Sequence, residues 1–139
     1  GWLDDVTNSG TGSEGFAGIP YEPMRYITMS VDAGSVRYRV HTQANGWLDW
    51  VYESDKNDYV YGAAGDGSII DGLQAYYTSD GSHWYQVYYR AQDVDHVGYW
   101  DTVCDDGTTY GGDRYAGCFG SGMDRLQAEI SDGWPAMVG

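Results

Sequence analysis

Basic residues are scarce in this chain. Seven lysines and arginines stand against 21 aspartates and glutamates, a formal net charge of −14, and a field of that sign repels phosphate backbones and anionic lipid surfaces. Nucleic acid and membrane are therefore not expected partners. No apolar run approaches the roughly 20 residues of a membrane-spanning helix, and no signal peptide opens the chain. Catalytic signatures are missing as well: there is no GxSxG elbow, no HExxH and no phosphate-binding Walker loop. With two cysteines, the sequence does not by itself establish an oxidising compartment. Proline occurs only three times, while glycine occurs 21 times and tyrosine 14 times, a balance that describes many short strands joined by turns rather than long helices.

What the chain does have is repetition. Gly46-Trp-Leu-Asp-Trp-Val51 returns as Gly1-Trp-Leu-Asp-Asp-Val6 and as Gly98-Tyr-Trp-Asp-Thr-Val103, at spacings of 45 and 52 residues. Ile70-Asp-Gly-Leu-Gln-Ala75 matches Met123-Asp-Arg-Leu-Gln-Ala128 and, more loosely, Met24-Arg-Tyr-Ile-Thr-Met29. Phe16-Ala-Gly18 and Tyr115-Ala-Gly117 precede the flanking pair, and Val36-Arg-Tyr-Arg-Val40 is echoed by Val87-Tyr-Tyr-Arg90. A period in this range marks repeated supersecondary units that bury their apolar sides only against each other. The expectation is one all-β domain over 1–139, built of three pseudo-repeats of about 45–50 residues. A β-trefoil suits that pattern best, with a β-prism of three sheets as the alternative.

Turn chemistry places the strands. Asn45-Gly46 signals a hairpin between a strand at 36–42 and one at 47–52. Ser79-Asp-Gly81 is expected to join strands at 70–78 and 83–91 in a second, longer hairpin. Further strands are expected at 24–31, 99–104 and 123–130, with a weak one at 59–61. Residue 1 falls inside a repeat, so the chain is expected to be part of a longer protein.

The combination of Tyr38-Arg-Val-His41, Trp47-Leu-Asp-Trp-Val51, Tyr115-Ala-Gly117 and Ile70-Asp-Gly-Leu73 resembles the repeated wall-binding modules at the C-terminal end of phage endolysins and autolysins of Gram-positive bacteria. It is similar, more loosely, to the hydrophobic-tryptophan repeats of clostridial surface proteins. The resemblance covers nearly the whole chain and implies a noncatalytic module, fused to an upstream catalytic domain, that targets a lytic enzyme to a cell-wall polysaccharide or peptidoglycan. Its place would be extracellular, at the bacterial wall, or phage-encoded and released at lysis. The chain departs from the pattern in having Asp49 within the Trp segment and in carrying two cysteines.

The Trp segment is the candidate ligand site on chemical grounds too. Strict alternation places Trp47, Asp49 and Val51 on one face, as it does Trp2, Asp4 and Val6, and Tyr99, Asp101 and Val103. An aromatic ring can cover the apolar face of a sugar while a carboxylate accepts its hydroxyls. The competing reading makes the ring and the valine core, with the aspartate capping turns or pairing with Arg39 and Arg90. The other face differs between copies and carries Trp50 and Trp100, which are expected to be exposed and to take part in binding. Asp71 and Asp124 are expected to cap turns. The acidic loops at 53–58 and 101–106 lack EF-hand spacing, and His41, His83 and His96 are too dispersed for a metal cluster, so neither a metal nor a cofactor is expected. Cys104 and Cys118 either close a disulfide, across a loop of about 15 residues worth roughly 3 kcal/mol, or are two free thiols. A lectin for soluble or host glycans is the alternative function.

Overall fold

The computed structural model of the protein describes residues 17–81, 85–105, 114–132 and 135. Among these the chain is all-β, with no helix and two antiparallel sheets. One sheet contains β1 (Ser35–Thr42), β2 (Gly46–Trp47), β3 (Ile70–Thr78) and β6 (Ala116–Gly117), in the order β2-β1-β3-β6. The other contains β4 (Gln86–Asp93), β5 (Val103–Cys104) and β7 (Met123–Ser131), in the order β5-β4-β7.

The period of two in β1 sets the inside and the outside of the first sheet. Val36, Tyr38, Val40 and Thr42 are buried, while Arg37, Arg39 and His41 between them are only partly so. Gly46, with φ +71°, completes the Asn45-Gly46 hairpin, and Asn45 N–H donates to Thr42 Oγ1 at 2.9 Å. Tyr38, Leu73, Ala75, Tyr89, Ile70 and Met123 lie in one shared core, each with no exposed surface. A buried phenol needs an acceptor. Tyr38 Oη donates to Glu53 O at 2.6 Å and Tyr89 Oη to Asp105 O at 2.5 Å, and these carbonyls belong to the residue two after Val51 and Val103 respectively. Asp105 also accepts Tyr77 N–H and Val87 N–H through Oδ1, tying one sheet to the other.

Three short backbone pairs join the units in a cycle. Ala64 bridges Ile27, Ala116 bridges Leu73, and Ala17 bridges Leu126. The Ala-Gly step of each unit thus pairs with the closing segment of another, and the cycle returns to its start. The glycine after each alanine has positive φ: +112° at Gly18, +134° at Gly65 and +112° at Gly117. A Cβ on these would meet Asp124 O at 2.1 Å, Arg25 O at 2.2 Å and Asp71 O at 2.7 Å, so only glycine fits this approach. The middle copy, Ala64-Gly65, is a third instance of a motif that the sequence comparison found only in the outer units.

Several expected elements differ. β3 and β4 do not form a hairpin across 79–81; β3 pairs with β1 and β4 with β7. A strand at 24–31 reduces to a bridge at Ile27, and 59–61 is a turn. The expected strands at 47–52 and 99–104 are mostly irregular, with only Gly46–Trp47 and Val103–Cys104 in ladders. The cause is an extra residue. Leu48 N–H donates to Val40 O and Val51 N–H to Tyr38 O, so a three-residue advance on one side matches two on the other, which is a bulge that breaks alternation. Leu48 and Val51 both turn to the core, and the faces assigned by strict alternation do not hold.

Candidate ligand-binding site

Bulges also shape the two long ladders. Between His41 and Thr42 of β1 the register on β3 jumps from Gly72 to Ile70, leaving Asp71 unopposed; between Gln92 and Asp93 of β4 it jumps from Arg125 to Met123, leaving Asp124 unopposed. Both carboxylates are buried, and both hold the turn that follows an Ala-Gly step. Asp71 Oδ2 accepts Gly120 N–H at 2.8 Å and Asp124 Oδ2 accepts Tyr21 N–H at 2.7 Å. They cap turns, as their sequence context suggested.

On the outer faces of the sheets the same arrangement occurs twice. Arg39 lies opposite Gln74 in the β1–β3 register, and its Nε donates to Gln74 Oε1 at 2.7 Å while its guanidinium sits 4.5 Å from the ring centre of Trp47. Arg90 lies opposite Gln127, its Nε donates to Gln127 Oε1 at 2.6 Å, and its guanidinium sits 4.4 Å from the ring centre of Tyr99. Burial pulls the Arg90 guanidinium down from its ordinary value and pushes the Tyr99 phenol up. Each shelf therefore holds a planar cation between an amide and a ring, a contact worth about 0.5–2 kcal/mol depending on desolvation.

The first shelf is the longer. Arg37 lies over both Trp50, at 4.4 Å, and Tyr76, at 5.0 Å, and Arg39 lies 4.9 Å from Trp50 as well as over Trp47. The order along the sheet is Tyr76, Arg37, Trp50, Arg39, Trp47. Beyond Trp47 the rings of His41, Phe119 and Tyr115 stack, at 3.9 and 4.2 Å, with Trp47 edge-on to all three. His41 Nδ1 donates to Asp71 Oδ1 at 2.5 Å, which fixes the plane of the stack. Gln74 is held in turn by donating Nε2 to Arg114 O at 2.7 Å.

The site residues expected from the sequence fall as follows. Trp47 and Trp50 are both partly buried and share the outer face; they are not on opposite sides. Asp49 and Asp101 are exposed, and Arg39 and Arg90 bond to glutamines rather than to them. Tyr99 takes the place of Trp47. Trp100 does not take the place of Trp50: its N–H donates to Ala91 O, as that of Leu48 does to Val40 O, so Thr102 stands where Trp50 does. Far from free, Trp100 donates Nε1–H to the buried Asp93 Oδ2 at 2.7 Å and stacks on His96 at 3.7 Å. Trp2 and Asp4 lie outside the described residues, as does His83. Cys104 and Cys118 are free thiols, one on β5 and the other in the turn after β6, so the disulfide is not formed. Burial, with Asp105 adjoining, pushes the Cys104 thiol up to about 11.

The sequence alone marks none of Gln74, Gln127, Phe119 and Tyr115 as a ligand-site residue. The glutamines were visible as the repeated Leu-Gln-Ala of the closing strands, but a recurring Gln has a meaning only once Arg39 and Arg90 are seen opposite. In the loop at 53–58, Asp55 and Asp58 accept amides of their own turn. No group of three or more His, Cys, Asp or Glu placed to hold a metal occurs among the described residues. No protein family, no curated protein and no solved structure matches the chain.

Proposed function

We propose that the protein is a noncatalytic carbohydrate-binding module that targets a lytic enzyme to a polysaccharide or peptidoglycan of the Gram-positive wall. The observation that supports this best is the duplicated shelf, Arg39–Gln74–Trp47 and Arg90–Gln127–Tyr99. A sugar ring has an apolar C–H side and a rim of hydroxyls. The part of each aromatic ring left open to solvent can cover the first, while the guanidinium, the amide and the exposed Asp49 or Asp101 offer donors and acceptors for the second. Sites of this kind combine apolar surface with a few fixed polar groups, and the two glutamines hold the cations before any ligand arrives.

Repetition favours binding over reaction. A shallow shelf of millimolar to tens of micromolar affinity corresponds to about 4–7 kcal/mol, and a polymer spanning two shelves gains about 10² or more through effective concentration. The cycle of Ala-Gly contacts is read here as trefoil-like, an architecture that displays related sites around an axis. The test is sedimentation of the pure chain with Gram-positive walls, run beside a mammalian glycan array. Binding to walls without clearing of the suspension supports the proposal; wall clearing, or binding confined to host glycans, sinks it.

A further inference from the structure

Among the described residues Arg39 is a cation without a counter-ion. The chain has 21 carboxylates, yet the one hydrogen bond of this guanidinium among the described residues runs to the neutral Gln74. Its two η nitrogens donate to no described residue, and no described carboxylate stands within ion-pairing distance of it. The group is half-buried between Trp47 and Trp50, at 4.5 and 4.9 Å from their ring centres. A guanidinium partly withdrawn from water, with rings and an amide but no described carboxylate beside it, is open to an anionic partner.

Geometry says what that partner is. With Nε engaged by Gln74, the end of the fork formed by Nη1 and Nη2 is what remains, and it matches the two oxygens of a planar or tetrahedral oxyanion. Gln74, itself anchored on Arg114 O, and the two indoles hold the fork in one orientation, so little side-chain entropy is left to lose on binding. We infer that the fork of Arg39 receives an oxyanion, a carboxylate or a phosphodiester, carried by the saccharide that lies along the Trp47–Trp50 shelf. This rests on the glycan-binding reading and narrows it to acidic wall polymers. The net charge of −14 does not forbid it, because charges beyond about 8 Å are screened at physiological ionic strength.

The experiment uses the full chain with three wall preparations: native, stripped of phosphodiester polymers with hydrofluoric acid, and carboxyl-reduced. A soluble pair, oligogalacturonate and its carboxyl-reduced form, is measured by calorimetry. One wall treatment is expected to weaken sedimentation of the wild type at least tenfold, identifying the oxyanion by its source, while Arg39→Gln is indifferent to both treatments. Arg39→Lys, which keeps the charge without the fork, should retain part of the preference and serves as the readout if Arg39→Gln melts early. Equal sedimentation on all three walls overturns this inference and leaves the wall-binding reading intact. An Arg39-dependent preference for oligogalacturonate without wall sedimentation does the opposite, and no binding in either arm overturns both.

Discussion

Phe119 lies so close over Gly72 that a Cβ on the glycine would stand 3.1 Å from Phe119 Cε1, with His41 Cβ at 3.2 Å and Tyr115 Cδ2 at 3.3 Å. The side chains of all three stacked residues therefore meet above a residue with no side chain. At the matching position of the other ladder stands Arg125, and there the stack is replaced by a guanidinium 5.6 Å from the ring centre of Tyr21. The two shelves share an Arg–Gln core and differ in what borders it.

Gly72→Ala should accordingly disturb the stack more than the backbone. Phe119 and Tyr115 sit around a turn that can give by a few tenths of an ångström, but His41 is fixed on β1. Overpacking of this kind costs about 1–3 kcal/mol, and the low end is expected. Urea denaturation gives the stability, and the near-ultraviolet circular dichroism of the aromatic stack should change with it. An unchanged spectrum would mean that the rings do not stack over this glycine.

Gly65→Ala and Gly117→Ala should cost more, because they combine positive φ with a Cβ directed at a backbone oxygen, at 2.2 and 2.7 Å. Strained backbone accounts for about 1–3 kcal/mol, and the clash adds to it. Each variant breaks one link of the cycle, so both should lose stability by similar amounts despite lying in different units. A Gly65→Ala protein as stable as wild type would show that Ala64–Ile27 pairing does not hold the units together.

The three tryptophans separate binding from folding. Trp50→Ala removes a partly buried ring from the Arg37–Arg39 ladder, and is expected to weaken wall binding several-fold with a small loss of stability. Trp47→Ala should reduce both, since its ring supports Arg39 and also borders the His41–Phe119–Tyr115 stack. Trp100→Phe should destabilise by about 1–3 kcal/mol, the cost of leaving a buried acceptor unmatched at Asp93 Oδ2, with wall binding unaffected at temperatures where the fold persists. Melting curves and sedimentation of the three variants decide it. Loss of binding in a fully stable Trp100→Phe would make that indole a ligand contact.

How much of this could be read beforehand follows from the range of the interactions. β1, β3 and β7 were legible because period two and flanking turn residues are local, and the Asn45-Gly46 hairpin because two residues specify it. Pairing of β3 with β1 rather than with β4 was not, since Ser79-Asp-Gly81 is compatible with either course and the choice depends on burial between units. The sidedness of Trp47 and Trp50 was lost to a single inserted residue, which no alternation rule detects. Arg39 and Gln74 are 35 residues apart, and their bond exists only through the register. The Ala64-Gly65 step was missed for want of the aromatic that precedes it in Phe16-Ala-Gly18 and Tyr115-Ala-Gly117.

Alkaline pH should lower the stability of the domain in two overlapping stages. Tyr38 has no exposed surface, and burial raises its phenol from 10.0 to about 12; Cys104 is raised from 9.0 to about 11, again mainly by burial. Both groups are neutral when protonated, so the folded state holds the proton more tightly than the unfolded one. Stability is full below the unfolded values and falls as pH rises, from about 9 to 11 for the thiol and from about 10 to 12 for the phenol. For Tyr38 that difference corresponds to roughly 3 kcal/mol. Tyr38→Phe should be less stable at neutral pH, because Glu53 O and Gly62 O lose a donor, yet its urea midpoint should decline less between pH 10 and 12. Cys104→Ala should delay the first part of the decline without altering the second. Midpoints measured at half-unit intervals from pH 8 to pH 12 separate the two, and a Tyr38→Phe curve running parallel to wild type above pH 10 would remove the buried phenol as the cause.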